Sequence, residues 1–173
     1  MGNFGVNTSE NDFFYSRISD ISNFSEENKI NYEGIDLYIG DGEFSTDLNK
    51  SQKENTLPLL FSALARSSSE NFFQVVLGLP IQQYKSNKDE LKKYIEHNRG
   101  KTIVYKGIKR DIVISDVLIV PEGAAIYYNL SMEQKNLIKN KPLIIVDIGG
   151  RTTDVCLFEN GKIRSSILCK EWD

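Results

Sequence analysis

Two glycines set among acids and hydroxyls, Asp147-Ile-Gly149-Gly150-Arg151-Thr152-Thr-Asp154, lie between the apolar runs Leu143 to Val146 and Val155 to Phe158 of a 173-residue chain. Glycines at such a place let backbone N–H groups approach an anion with no Cβ in the way. Thr152 adds a hydroxyl donor, and Asp147 at a strand end can hold a hydrated Mg2+ beside phosphates. The order reads as strand, turn, strand, which makes a hairpin cradle for phosphate. The Lys-Ser/Thr of a P-loop and the strand-to-helix setting of a dinucleotide fingerprint are both missing from it. The competing reading is a plain hairpin turn with a strand-end carboxylate. The apolar flanks, with Thr152 and Asp154 at fixed offsets, weigh against that.

The elements that must position this segment follow from periodicity. Asn11 to Ile18 and Ile35 to Ile39 are Phe-, Tyr- and Ile-rich runs bounded by turn formers and read as half-buried strands, with Ser19 to Glu33 a loop holding about one helical turn. In Ser51 to Arg66, Leu57, Leu60, Phe61 and Leu64 share one helical face, and Pro58 fits only in a first turn capped near Asn55 or Thr56. Phe72 to Pro80 is a continuous apolar run, as in a strand covered on both faces. Asn87 with Glu90 forms a capping-box pattern that starts a helix ending near Asn98-Arg99-Gly100. Lys101 to Lys106 and Ile108 to Val120 are strands, Pro121 opens a short helix through Tyr128, Lys141 to Asp147 is a buried strand, and Asn160-Gly161 is a type I′ hairpin turn. The alternation predicts an α/β fold with a mixed sheet and flanking helices, divided into residues 1–140 and the start of a second domain at 141–173.

Composition removes several classes of function. Hydrophobic residues make up 40% and charged residues 26% of the chain, which suits a packed domain and not a disordered one. Twenty-one Lys and Arg against 24 Asp and Glu, a formal charge of −3, give no footing for direct nucleic-acid binding. Val75 to Ile81 and Val117 to Pro121 fall far short of the roughly 20 residues that span a bilayer, so no membrane and a cytoplasmic location are expected. Cys156 and Cys169 do not face each other in a hairpin about Asn160-Gly161, so no disulfide is expected. His97 stands alone near a helix end and suits the dipole, not a metal. Gly40-Asp41-Gly42-Glu43 reads as a surface hairpin, and Lys85, Lys88, Lys92 and Lys93 as a solvated helix face.

The segment Asp147 to Asp154 resembles the second phosphate motif, Asp-x-Gly-Gly-x-Thr-x-Asp, of the actin, sugar-kinase and chaperone ATPase superfamily. With Val75-Val-Leu-Gly-Leu-Pro80, with Val117-Leu-Ile-Val-Pro121-Glu122-Gly-Ala-Ala-Ile-Tyr and with the length linking that segment to Asp147, the chain is most similar to plasmid-segregation actins of the ParM (StbA) type. The resemblance extends from about Gly2 to Leu168. It implies an actin-like, ribonuclease H-like fold, with most of domain I and the first hairpins of domain II. It further implies ATP with Mg2+ as ligands, filaments of identical subunits and a DNA-bound adaptor protein as partner. By the same resemblance Asp147 holds the metal through water, with Asp154 a second candidate. Gly149, Gly150, Arg151 and Thr152, together with Gly2 and Asn3, hold phosphates, and Glu122 orients or activates the attacking water. Read by itself, Glu122 is a first-turn carboxylate that complements a helix dipole.

The N-terminus departs from the family pattern. Gly2 to Ser9 corresponds to the tail of the first phosphate loop, its strand and Asp are absent, and Asn7 stands where Lys is common. The adenosine-gripping motif of the family also has no counterpart before Asp173. A fragment with little ATPase activity of its own is therefore expected. Two rival readings remain: an interaction module that kept the fold and lost the nucleotide, and a monomeric kinase or chaperone-type ATPase of the same superfamily.

Overall fold

Residues 29–32 alternate Lys, Ile, Asn and Tyr, which places Ile30 and Tyr32 on one face and Lys29 and Asn31 on the other and suits a strand with one covered face. The computed structural model, which describes residues 5–7, 12–21, 26–44, 55–148 and 152–170, forms that strand and pairs it into a mixed sheet. Its elements in chain order are β1 (Gly5–Asn7), β2 (Phe13–Tyr15), β3 (Arg17–Ser19), a 3-10 turn (Glu26–Asn28), β4 (Lys29–Tyr32) and β5 (Ile35–Phe44), then α1 (Thr56–Ser67), β6 (Phe72–Leu79), α2 (Ile81–His97), β7 (Gly100–Tyr105) and β8 (Ile108–Pro121). There follow α3 (Ala124–Asn129), α4 (Met132–Ile138), β9 (Leu143–Ile148), β10 (Thr152–Glu159) and β11 (Lys162–Lys170). Two compact units arise, Met1–Leu77 with Asp89–Leu118, and Gly78–Lys88 with Ile119–Asp173.

The first unit is built on a six-stranded sheet in the order β3-β5-β4-β7-β8-β6, beside the small pair β1-β2. Most neighbours are antiparallel, as in β4 with β5 and β7 with β8. Its core joins Val6, Phe14, Ile30 and Ile39 to Leu59 of α1. Fully burying a side chain of this size stabilises by about 1.5–3 kcal/mol, which is why α1 needs no side-chain cap at Asn55 to hold its place. Arg66 in the last turn of α1 forms an ion pair with Asp12 and lies over the Phe14 ring, 4.7 Å from its centroid. Arg110 of β8 donates to the carbonyl oxygens of Ala65 (3.2 Å), Ser68 (2.7 Å) and Glu70 and to Asn71 Oδ1 (3.3 Å), so one guanidinium serves the carbonyl end of α1 and the loop behind it.

Several sequence expectations are corrected here. The loop expected from Ser19 to Glu33 contains β4, closed onto β5 through Glu33-Gly34, where both residues have positive φ. β5 does not stop at Ile39. It continues to Phe44 past a wide irregularity against β3, so Gly40 to Glu43 is a bulge in a strand, with Arg17 Nε donating to Gly40 O. Asn11 to Ile18 breaks at Ser16 into β2 and β3, and Asn11 lies outside the described residues, as do Ser51 to Glu54. β6 is covered on one face and not both: Val75 and Leu79 are buried, while Phe72 and Val76, which project to the other face, are exposed. α2 begins at Ile81, six residues before Asn87, since Pro80 O already accepts from Gln83 N and Tyr84 N, both at 2.9 Å. Its end at His97 is as expected, and His97 Nδ1 lies 2.7 Å from Lys93 O.

The second unit carries a three-stranded sheet, β11-β10-β9, whose inner residues Ile145, Cys156 and Phe158 pack with Ile81, Tyr127 and Leu143. The β10-β11 turn has φ of 51° at Asn160 and 74° at Gly161, both positive as a type I′ turn requires. Cys156 is paired with Ser166 and Thr153 with Cys169, so the cysteines are not opposite each other. α4, absent from the sequence reading, starts at Ser131 with a reciprocal capping box to Gln134. No helix among the described residues is long and apolar enough to cross a membrane.

Candidate functional site

In an antiparallel ladder, residues directly opposite each other project to the same face. β9 and β10 pair Leu143 with Phe158, Ile145 with Cys156 and Asp147 with Asp154, so these three pairs form one continuous row. The first two pairs are the apolar inner face of the second unit, and the third ends the row in two carboxylates. Asp154 is buried, at 8% exposure, and Asp147 is half-buried. The intervening pairs put Ile144, Val146 and Ile148 on the other face, where all three are exposed.

The segment after β8 lies along that inner row. At Gly123, with φ of 78°, an added Cβ would come within 2.9 Å of Cys156 Sγ, and one helical turn further on Tyr127 stacks on Phe158 with 5.2 Å between centroids and 11° between planes. α3 therefore runs parallel to the row, its start at Cys156 and its body at Phe158. Glu122 immediately precedes Gly123, the residue that sits against Cys156 in this row. Burial, and then the charges of Asp154 and Asp147, push the Cys156 thiol above its ordinary value, the electrostatic signature of both carboxylates close to the sulfur.

Glu122 is not in a helix. It occupies a turn between β8 and α3, and its N–H donates to Leu79 O at 2.7 Å. The expectation that Pro121 opens the helix is corrected accordingly: Pro121 ends the strand and Gly123 provides the left-handed residue that turns the chain into α3. A first-turn role at the helix dipole thus does not describe Glu122. Its side chain lies against Gly78, where an added Cβ would meet Glu122 Cγ at 2.8 Å and Oε1 at 3.1 Å. Gly78 was missed by sequence reasoning, and the signal that could have found it is a glycine interrupting an otherwise apolar strand.

Of the other sequence candidates, Thr152 opens β10 in register with Lys170, and β10 pairs antiparallel with β9 as far as Thr153 opposite Ile148. Gly149, Gly150 and Arg151 lie outside the described residues, as do Gly2 and Asn3. Thr153, on the face opposite the carboxylate pair, is buried with its hydroxyl making no hydrogen bond. Among the described residues no three His, Cys, Asp or Glu side chains form a ready metal cluster. The oxygen pair Asp147 and Asp154 nevertheless suits a hard cation such as Mg2+, which takes one or two carboxylates and keeps its remaining ligands as water.

A mixed sheet flanked by helices is the architecture of actin-like proteins, and solved structures agree. The AlfA filament from Bacillus subtilis plasmid pLS32 aligns with a TM-score of 0.66 at 17% identity over 92% of this chain and 62% of that one. The apo pSK41 ParM protein aligns with 0.66 at 18% over 92% and 60%, and the archaeal actin homologue Ta0583 in complex with ADP with 0.70 at 21% over 96% and 57%. The chain spans 57–62% of the length of these proteins. The family of actin-like proteins, N-terminal domain, matches residues 9–124, and this chain belongs to that family. No curated protein matches it.

Proposed function

We propose that this chain is the nucleotide-binding part of a filament-forming actin-like ATPase that segregates plasmid DNA. The observation that carries the reading is the Asp147–Asp154 pair at the end of an inner row along which the Glu122-Gly123 turn is laid. Asp147, with Asp154 beside it, would hold Mg2+, which supplies charge neutralisation at the phosphates. Gly149, Gly150, Arg151 and Thr152, joined by Gly2 and Asn3, would cradle the phosphates. Glu122 would accept a hydrogen bond from the attacking water and aim it, a role that typically contributes about 10²- to 10⁴-fold. Phosphoryl transfer demands chiefly positioning and neutralised charge, so no covalent chemistry is asked of the chain.

The ADP named with the archaeal homologue and the filament named with AlfA support the nucleotide and the polymer. Identical subunits would be the first partner and a DNA-bound adaptor protein the second, and residues 141–173 would begin the second domain. Right-angle light scattering after addition of Mg-ATP, run beside calorimetric titration of Mg-ATP, tests the proposal. Binding with a scattering rise that later decays supports it. Binding with a flat trace leaves a monomeric ATPase or kinase, and neither signal leaves an interaction module.

A further inference from the structure

We infer that Gly78 is a positioning residue for the Glu122 carboxylate, an assignment that rests on the water-orienting role proposed for Glu122. Gly78 sits in β6 with φ outside the left-handed region, so its backbone would accept any residue. What it uniquely supplies is space. The three heavy atoms nearest to an added Cβ all belong to Glu122: Cγ at 2.8 Å, Oε1 at 3.1 Å and Cδ at 3.5 Å. Cβ atoms essentially never approach other heavy atoms closer than about 3 Å, so an alanine here and the present Glu122 rotamer exclude each other.

The next residue of the same strand holds the other end of Glu122. Leu79 O accepts from Glu122 N at 2.7 Å, which fixes the backbone from which the side chain departs. With the main chain tethered by Leu79 and the side chain laid over Gly78, the carboxylate is directed by β6, an element other than the turn that carries it. Pro80, which follows, is buried at the start of α2, so the tether has no freedom to slide along the chain. A methyl group at residue 78 leaves Glu122 one economical response, a change of χ1, because its N–H is held and its Cγ is the atom displaced.

The test is Gly78→Ala in the 173-residue chain with 13C-labelled Glu, reading Glu122 χ1 from three-bond couplings and the Gly78 Hα to Glu122 Hγ nuclear Overhauser effects of the parent. A new Glu122 rotamer in a folded variant is expected, with a thermal midpoint within roughly 2–4 °C of the parent. An unchanged rotamer overturns the assignment. If Gly78→Ala does not fold, the double variant Gly78→Ala/Glu122→Ala decides. Recovery of the fold means that Glu122 was the obstacle and supports the assignment, and failure to recover overturns it. In ATP hydrolysis by a longer protein that carries this chain together with the rest of the nucleotide cleft, Gly78→Ala is expected to match the kcat loss of Glu122→Gln with KM unchanged. Parental turnover by Glu122→Gln would remove the water-orienting role itself, an outcome separable from the rotamer result.

Discussion

Asp147 and Asp154 stand directly opposite each other across β9 and β10, at the place where the row Leu143/Phe158 and Ile145/Cys156 would continue with a third apolar pair. Like charges directly opposed in a ladder cost roughly 0.2–1 kcal/mol. Under the cation-holding role proposed for the pair, a bound Mg2+ would offset this repulsion. Asp147→Asn is expected to raise the thermal midpoint in metal-free buffer by about 0.5–4 °C, and millimolar Mg2+ should raise the parent's midpoint more than the variant's. A midpoint lowered by Asp147→Asn at every Mg2+ concentration would contradict this account.

Arg110 gathers carbonyl oxygens from residues 65, 68 and 70 as well as the Asn71 side chain. Arg110→Lys keeps the charge but cannot reach four acceptors with one ammonium. A loss of about 1.5–3 kcal/mol is expected in urea denaturation, the range for hydrogen bonds involving a charged partner. Amide exchange should quicken first in the last turn of α1.

Gly34, Gly107 and Gly161 all have positive φ, at 90°, 77° and 74°. An added Cβ meets nothing within 4 Å at Gly34 or Gly107, but lies 2.7 Å from the Tyr127 hydroxyl at Gly161. Alanine at each should cost about 1–2 kcal/mol in backbone strain. At Gly161 it should cost a further 0.5–1.5 kcal/mol or so, because Tyr127 is pushed off its stack on Phe158. Equal losses at all three positions, by urea denaturation, would show that the stack is indifferent to the turn.

Much of the fold was legible because strong local signals met no competitor. The β7-β8 hairpin, the end of α2 at His97 and the Asn160-Gly161 turn depend on residues adjacent in sequence. The misreadings have a common cause, which is that long-range packing overrode a local preference. Asn87-x-x-Glu90 is a good capping pattern, yet Leu91 and Ile95 are buried and the carbonyl of Pro80 starts the helix earlier. β6 reads as a strand covered on both faces, but coverage depends on which distant elements pack over each face, which its own residues do not encode. At the site, the types and spacing of Asp147 and Asp154 were visible. The register that opposes them, and the space at Gly78 that shapes Glu122, come from other strands.

The Cys156 thiol is pushed above its ordinary value first by burial and then by Asp154 and Asp147. A group raised in the folded state gives stability that is complete below the unfolded thiol's range, near 8.5, and is lost as pH rises from there through the folded value. The unfolded chain releases its proton first, which draws the equilibrium toward unfolding. Urea midpoints at about pH 7.5 and pH 10 should therefore fall more steeply in the parent than in Cys156→Ala. Parallel slopes would mean that the thiolate is tolerated where the carboxylates lie.

Among the described residues β9 lies at one end of its three-stranded sheet and turns Ile144, Val146 and Ile148 outward. A strand edge bordered by such a face is a template for further strands, and its attraction needs no nucleotide. At rising concentration the protein should scatter light before ATP is added, and that baseline should shrink with mild detergent or with a charge placed at Val146. Stickiness of this kind and assembly driven by nucleotide are different phenomena in the same cuvette. The increment above the ATP-free trace is the part that reports on a filament.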